Sequence, residues 1–495
     1  MKNKLLKILI IILFVSLPIS DMLRNTSFKD IELLGISIPE LLNLLVIGIS
    51  FIITLTKINR KKTYFLLIYL LILGIYLFLH YQNILKFDPN IYTIPNYSFF
   101  KETLYILRIY FFPILVILIL IWNKDVFDKK FYSFVAKYLI AFISFSIIIL
   151  DILKLSYPSY EDIVDVTYVP YSILDFYKYS GNPEDLLAKG WFGSANEISV
   201  ILFALLPINI FLLYKENKIN NVVIFTSQLL SMIIVGTRTS AYGSILIPCI
   251  CLMLYMFFVS IKKNKFNFNF FLKFIIPFIF ISIVFVYAPF RQYRRSIDSS
   301  RLEISNSDRI SELLSNLDSD EDKIKAIKDH LYDFGISTDV EKLYPVDNDL
   351  SFWIEICKRD LSLNNNNRIL KNDIVRRIKV RNNNSNDTFL GMHFLLDYMN
   401  IEKDYIYQYY LLGIIGLILS IGVYYTFYIS AIIKLFKNFK EKFKFENILL
   451  FMAVSLELLI AYFSGHTFGT FFPMFILSLL ISILNFYVVG DNYES

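Results

Sequence analysis

The sequence predicts an all-α polytopic membrane protein with about twelve transmembrane helices and one large, mainly helical extracytoplasmic loop. Apolar runs of roughly 16–22 residues recur along the chain, a length that suits a bilayer and no soluble core. Hydrophobic residues make up 56% of the 495 residues and charged residues only 19%. Basic residues cluster in the turns at one side of those runs and are sparse at the other, as the positive-inside rule requires.

The first run, Leu5–Ser20, follows MKNKLLK. No A-x-A-like cleavage site comes after it, so it reads as a first span rather than a signal peptide. Further spans are expected near Ile38–Leu55, Thr63–Tyr81, Thr103–Trp122, Phe134–Leu153 and Ala195–Tyr214. Val222–Gly236, Ser240–Ile261 and Phe271–Ala288 continue the series. After the large loop come Ile406–Ile433, Ile448–Ser464 and Phe471–Val488. An even number of spans puts both termini on one side. Lys2, Lys4 and Lys7, then Lys57 to Lys62, Lys124 to Lys130, Lys215 and Lys218, Lys262 to Lys265, and Lys434 to Lys444 mark that side as cytoplasmic. The expected setting is the cell (inner) membrane.

Three stretches face outward in this reading: Gln82–Glu102, Lys154–Ser194 and Pro289–Asp404. The last is too polar for lipid and too long for a connector. Helix-like spacing over Ile310–Leu317 and Asp322–Phe334 predicts a small helical cap, with the Asn-rich patches Asn364–Asn367 and Asn382–Asn386 as flexible connectors. The expected organisation is residues 1–288 as spans, 289–405 as a loop acting as a lid, and 406–495 as the closing spans. Internal repeats are not evident, which weighs against an inverted-repeat transporter.

Ionisable residues inside spans are costly and point to function, a buried pair or a cavity. Arg108 lies a turn or two into its span; Asp151 and Glu197 flank the second outer stretch; Arg238 sits in GTRTSA. Glu457 is in the outer half of the next-to-last span, and His466 occupies the turn GHTFGT. All fall near one depth, which suggests an outward cavity; scattered helix–helix pairs, such as Arg108 with Glu457, are the plainer alternative. Arg108, Arg238, Arg291, Arg294 and Arg295 have the forked donors that grip phosphate oxygens. The FRQYRRS cluster would also serve as a lipid-headgroup anchor. His330 and His393 read as ordinary loop residues. Cys249, Cys251 and Cys357 exclude a disulfide framework. The net charge of +6 reflects basic helix ends and not a nucleic-acid partner.

These motifs resemble the O-antigen ligase and polysaccharide polymerase (Wzy-type) superfamily. GWFGSANE supplies a Gly-x-Phe with Gly190 and Phe192, then Asn196 at a helix start. Thr237-Arg238-Thr239 matches a Ser/Thr-Arg-Thr turn, and NSDRISELL with Arg309, followed by LYDFGIST, matches the loop. Ligases of the family carry a His ten residues before Gly-x-x-Gly. Here Glu402 takes that position ahead of Gly413 and Gly416, with Asp404 as a second acidic candidate. The Arg that often precedes Gly-x-Phe is missing, and Lys189 is the nearest cation.

The resemblance implies a lipid-dependent glycosyltransferase of GT-C-like type, of a Gram-positive kind. Its donor would be an undecaprenyl-pyrophosphate-linked oligosaccharide and its product a capsular polysaccharide, exopolysaccharide or O-antigen-like polymer. Glu402 or Asp404 would accept the proton of the attacking sugar hydroxyl. Arg238 would stabilise the departing pyrophosphate, with Arg108, Arg291, Arg294, Arg295 and Arg309 binding it. Asn196, Glu197, Glu457 and His466 would line the cavity. The alternatives are a ligase that transfers finished glycan to a lipid or protein, and a lipid-oligosaccharide flippase. Expected partners are the lipid-linked oligosaccharides, membrane lipid and other polysaccharide-export proteins. No cofactor is expected, and no grouping of His and carboxylates demands a metal.

Overall fold

A computed structural model describes residues 2–24, 32–33, 36–88, 90–91, 98–160, 167–177, 183–216, 218–262, 266–288, 307–315, 317–364, 367–392 and 401–490. Every apolar run of the sequence is a helix. In chain order these are α1 (Lys2–Leu23), α2 (Ile38–Leu55), α3 (Arg60–Ile84), α4 (Phe99–Trp122), α5 (Lys129–Ile152), α6 (Ala195–Glu216), α7 (Ile219–Val235), α8 (Arg238–Lys262) and α9 (Phe268–Tyr287). Seven loop helices follow: α10 (Ser307–Leu314), α11 (Asp320–Asp329), α12 (Thr338–Leu343), α13 (Leu350–Cys357), α14 (Leu361–Asn364), α15 (Asn367–Asn382) and α16 (Asp387–Leu390). The chain closes with α17 (Asp404–Leu419), α18 (Ile421–Lys437), α19 (Phe439–Lys442), α20 (Phe445–Phe463) and α21 (Phe471–Leu484). Among the described residues the only strands are a two-residue antiparallel pairing of Glu32 with Ser37 and Leu33 with Ile36.

Ten of these helices are long and apolar enough to cross a membrane, or up to 11 if a broken pair counts as one. The chain is an all-α, multi-pass membrane protein. Two of the expected segments explain the difference from twelve. The α7 segment is apolar but shorter than a full span. The tenth is not one helix but two, α17 and α18, broken at Ser420.

The chain divides into two compact units. The first comprises Met1–Ile68, Thr103–Arg294 and Ser420–Ser495. At its centre α6 and the stretch Phe471–Val489 are buried almost all round, as apolar helices without a polar face must be. Around them α20 packs on α6, α5 on α7, and α1 on α2. Polar side chains join the helices where apolar contact gives no specificity. Asn209 donates to Gln228 (2.7 Å), Gln228 to the Leu202 carbonyl (2.9 Å), and Asn123 to Thr54 (3.1 Å). The basic turns meet at one end. Lys57 donates to Asn3, Lys7 pairs with Asp128 at the start of α5, and Lys215 pairs with Glu446. Therefore α1 and α5 run parallel, and their C-terminal ends share the opposite end of the unit.

The second unit comprises Tyr69–Glu102 and Arg295–Leu419. Its loop helices enclose a small apolar core of Ile327, Leu331, Phe334, Val346, Trp353 and Ile378, so the loop is helical as its apolar spacing predicts. Ser319 and Ser337 cap α11 and α12, and Asp349 caps α13 by accepting from the Phe352 amide. Three described residues of the Asn patches are held in place and are not loose connectors. Asn364 is buried and donates to the carbonyls of Phe334 (2.9 Å) and Ile356 (3.0 Å). Asn382 donates to Asp387 (2.7 Å), and Asn384 to Asn83 (2.9 Å). Asparagine amides carry both donors and acceptors, so buried they staple backbone that solvent would otherwise satisfy.

The Gly-x-x-Gly segment has a backbone reason. Gly413 (φ 65°, ψ −177°) and Gly391 (φ 84°, ψ 164°) both occupy a region that is essentially closed to other residues. They also touch: a Cβ on Gly413 would lie 2.4 Å from the Gly391 nitrogen, and one on Gly391 2.1 Å from the Leu411 carbonyl oxygen. The break interrupts the helical hydrogen-bond ladder. Tyr76 donates to the Leu412 carbonyl (2.7 Å) and Met392 to that of Tyr410 (2.9 Å), as a non-aqueous surrounding demands.

Candidate functional site

In the first unit, the end away from the basic turns carries a buried charge cluster. It forms where α1 ends, where α2, α6 and α8 begin, and where the turn 464–470 closes. Asp21, in the last turn of α1, is 3% exposed and accepts from the Gly193 amide (3.0 Å). Arg24, one turn on, pairs with Asp21 (3.3 Å) and with Glu197 (3.6 Å) through the same Nη1, on a side chain that stays 41% exposed. Burial of Arg24 works against its charge, but Glu197, Asp21 and Glu40 together hold it protonated beyond an ordinary arginine.

Glu40, in the first turn of α2, accepts from Arg108 (3.1 Å). Arg108 lies in a π-helical turn, Leu107–Phe111, inside α4. Pro113 just beyond it cannot donate to the ladder, and such single-turn bulges are frequent at functional sites. Asn196 opens α6 and meets His466 (Nδ2 to Nε2, 3.3 Å). Glu197 lies within electrostatic reach of Arg24, Asp21, His466 and Glu40. Lys189 is buried and donates to the Gly193 carbonyl (3.2 Å). Gly190 and Phe192 hold this segment: Gly190 is hydrogen-bonded on both sides, to Ser156 and Tyr157, and Phe192 is fully buried.

Arg238 begins α8. Thr237 caps the helix by accepting from the Ser240 amide (3.3 Å) and donates to Ser199 of α6 (2.6 Å), while Arg238 itself is exposed. Its charge adds to the positive end of a long helix instead of opposing it, an arrangement that favours an anion. Asp151 accepts from the Ile173 amide (2.8 Å) and so anchors the 172–175 turn.

Glu457 makes no ion pair among the described residues. It is 0% exposed on α20, and neither carboxylate oxygen has a hydrogen-bond partner among the described residues. The ion pair of Arg108 is made with Glu40, not with Glu457.

The second unit holds the other candidates. Glu402 forms an ion pair with Arg368 of α15. Asp404 is the first residue of α17 and 5% exposed, where the helix dipole favours a carboxylate. Arg309 lies on α10, half exposed, and pairs with Asp333 (3.9 Å) in a loop-internal contact. Arg291, Arg294, Arg295 and His393 lie outside the described residues.

The fold thus gathers Arg108, Asn196, Glu197 and His466 in one network. Sequence reasoning missed Asp21, Arg24 and Glu40 within it. Asp21 and Arg24 fall at the end of the first span, where charge is expected; only their i, i+3 spacing hinted at a pair. Among the described residues no group of three or more His, Cys, Asp or Glu side chains could hold a metal ion.

A family model described as O-antigen ligase like membrane protein matches residues 2–489, nearly the whole chain. No curated protein and no solved structure matches it. Glycan processing at a membrane is the function this match supports. With the many spans, the large helical loop and the motifs around Gly190, Arg238 and Gly413 all present, the chain belongs to the O-antigen ligase like membrane protein family.

Proposed function

We propose that the chain is an extracytoplasmic polysaccharide polymerase that joins undecaprenyl-pyrophosphate-linked oligosaccharide repeat units into a longer polymer. The observation that carries this reading is the buried cluster of the first unit. Arg24, Arg108, Lys189 and His466 stand among Asp21, Glu40 and Glu197, at the end opposite the basic turns. With those turns cytoplasmic, as the positive-inside rule indicates, the cluster faces outward and both termini inward. Cations in a largely water-excluded setting bind pyrophosphate oxygens far more strongly than in water, and Arg238 at its helix start adds a further anchor.

The reaction is a single displacement. A hydroxyl of the acceptor repeat unit attacks the anomeric carbon of the donor, the bond to the pyrophosphate oxygen breaks, and the hydroxyl proton passes to a carboxylate. The family resemblance supports Glu402, or Asp404 in its place, as the acceptor of that proton, and cationic groups stabilise the charge developing on the leaving pyrophosphate.

Arg24→Ala, Arg238→Ala and Glu402→Ala should each leave the protein inserted while single repeat units accumulate on the carrier lipid. Each loss of a charge stabiliser should slow transfer roughly 100- to 1,000-fold. Normal polymer length in the Arg238 and Glu402 variants would sink the assignment. Accumulation of finished polymer on the carrier would point to a ligase instead.

A further inference from the structure

In the second unit, α3 carries four polar side chains, Tyr69, Tyr76, His80 and Asn83, at a spacing that puts them on one helical face. Each reaches a backbone carbonyl of α17 or of the segment 387–392. Tyr69 donates to Leu419 (2.8 Å), Tyr76 to Leu412 (2.7 Å) and Asn83 to Gly391 (2.8 Å), while His80 meets Leu390. Of the four, His80 is the side chain whose charge changes near neutral pH. We propose that His80 and Glu102 form a proton-operated latch. With its proton the pair clasps residues 387–392 to α3; when alkaline conditions remove the proton, that segment and the kink of α17 are released. The inference does not rest on the polymerase reading.

The proton follows from counting donors. The His80 ring is fully buried, with Nδ1 facing the Leu390 carbonyl and Nε2 facing the Glu102 carboxyl (3.0 Å), itself 1% exposed. A carbonyl only accepts, so Nδ1 carries a hydrogen. Nε2 and the carboxyl then need one more between them, as imidazolium beside carboxylate or as neutral ring beside carboxylic acid. In both arrangements the proton belongs to the pair. Once it leaves, either the carboxylate faces an imidazole lone pair or the Leu390 carbonyl does. A buried acceptor is then without its donor, which is costly at full burial.

The surroundings keep that titration simple. Among the described residues, Glu102 of α4 is the one charged group within electrostatic reach of the ring. Tyr76 stacks on it from α3 itself, with ring centres 5.6 Å apart. Asp387 of α16 turns instead to Asn83 (2.9 Å) and Asn382 (2.7 Å), with Lys379 as its nearby cation. From α17 the polar face of α3 meets backbone, at Leu412 and Leu419.

The clasped segment is one that can yield. Gly391 and Gly413 cross there in glycine-only conformations, and Met392 donates to the Tyr410 carbonyl (2.9 Å) across the crossing. Backbone held by contacts between elements, and not by its own helical ladder, loosens when one clasp opens. Because α16 packs on α17, the change reaches the helix that Asp404 begins.

The test is hydrogen–deuterium exchange on the full chain in phosphatidylglycerol nanodiscs, corrected for the intrinsic rate, from about pH 6 to about pH 9. Peptides covering 387–392 and 410–416 should lose protection by up to about tenfold per pH unit, the limit for one proton. Peptides around the buried Trp353 should keep theirs. Glu102→Gln should abolish the pH step with the segment closed throughout, because its amide donates to Nε2 without a dissociable proton. His80→Gln should abolish the step as well. A pair that is only structural would lower protection in the variants at every pH and leave the pH step in place, which would overturn the proposal. A flat profile in the parent would overturn it too, as would a loss spread equally over the Trp353 peptides, the mark of general unfolding. Should His80→Gln fail to fold, the parent profile and Glu102→Gln still decide.

Discussion

The first unit gathers a paired charge cluster at the ends of its apolar helices, whereas the second spreads most of its charges over an exposed helical loop and specifies its shape through backbone and amide contacts. Arg108 and Glu40, or Arg24, Asp21 and Glu197, are paired because lipid and apolar side chains offer nothing else to satisfy them. Pairs such as Lys342–Asp339, with both partners more than two-thirds exposed, compete with water and contribute little. The same chemical pair is therefore structural in one unit and incidental in much of the other.

The largest effect expected lies in the second unit and involves no charge. Gly391→Ala must force a Cβ against the Leu411 carbonyl at a glycine-only conformation, costing about 4 kcal/mol. Gly413→Ala should behave alike. Loss of the folded population in detergent, measured by thermal unfolding, checks both, and near-parental melting would show that the contact yields easily.

Next comes the buried pair of the first unit. Arg108→Ala leaves Glu40 without its cation and should destabilise by roughly 2–3 kcal/mol. The double replacement Arg108→Met with Glu40→Gln should recover much of that loss. If the double variant melts no higher than the single, the pair is not stabilising through its mutual neutralisation.

Asn364→Ala should cost about 2 kcal/mol, because it strips two buried carbonyls of their donor. Faster proteolysis within residues 307–392 would report it, and an unchanged rate would return that patch to a connector.

The smallest effect is a pH dependence. Burial pushes the Asp349 carboxyl up, but the Arg377 fork (2.7 and 3.0 Å), Ser351 and the Phe352 amide outweigh it and hold its pKa at about 2. A folded-state value below the unfolded one gives stability that is complete above the ordinary aspartate range, near pH 4. That stability is lost as pH falls through about 2, and amounts to about 1–2 kcal/mol. Emission of the neighbouring, fully buried Trp353 should therefore shift between pH 5 and pH 2 in the parent and less in Asp349→Asn. Equal shifts in both would remove this pair from the loop's stability.

Much of the fold was legible because hydropathy and basic turns are additive along a chain. The runs at Leu5, Ile38 or Phe471 each meet the bilayer's length requirement without reference to any neighbour. Apolar spacing predicts the loop helices, but the polarity around Asn364 and Asn382 suggests connectors. Composition records that an amide is polar, not that it is buried between two carbonyls. Arg108, Asn196, Glu197 and His466 stood out as costly or motif-bearing residues. Asp21, Arg24 and Glu40 did not, since charges at the ends of spans are expected on general grounds.

The sequence by itself determined an all-α membrane protein, the places of its helices and a set of charges too costly to be accidental. Each of these depends on residues close together in the chain. Only the tertiary structure decided that Arg108 takes Glu40 and not Glu457, that Arg24 joins Asp21 to Glu197, and that Gly391 and Gly413 meet. Those are choices among partners far apart in sequence, settled by which helix ends the packing brings within a few ångströms, where pairing energies in a low-dielectric setting fall off steeply with distance.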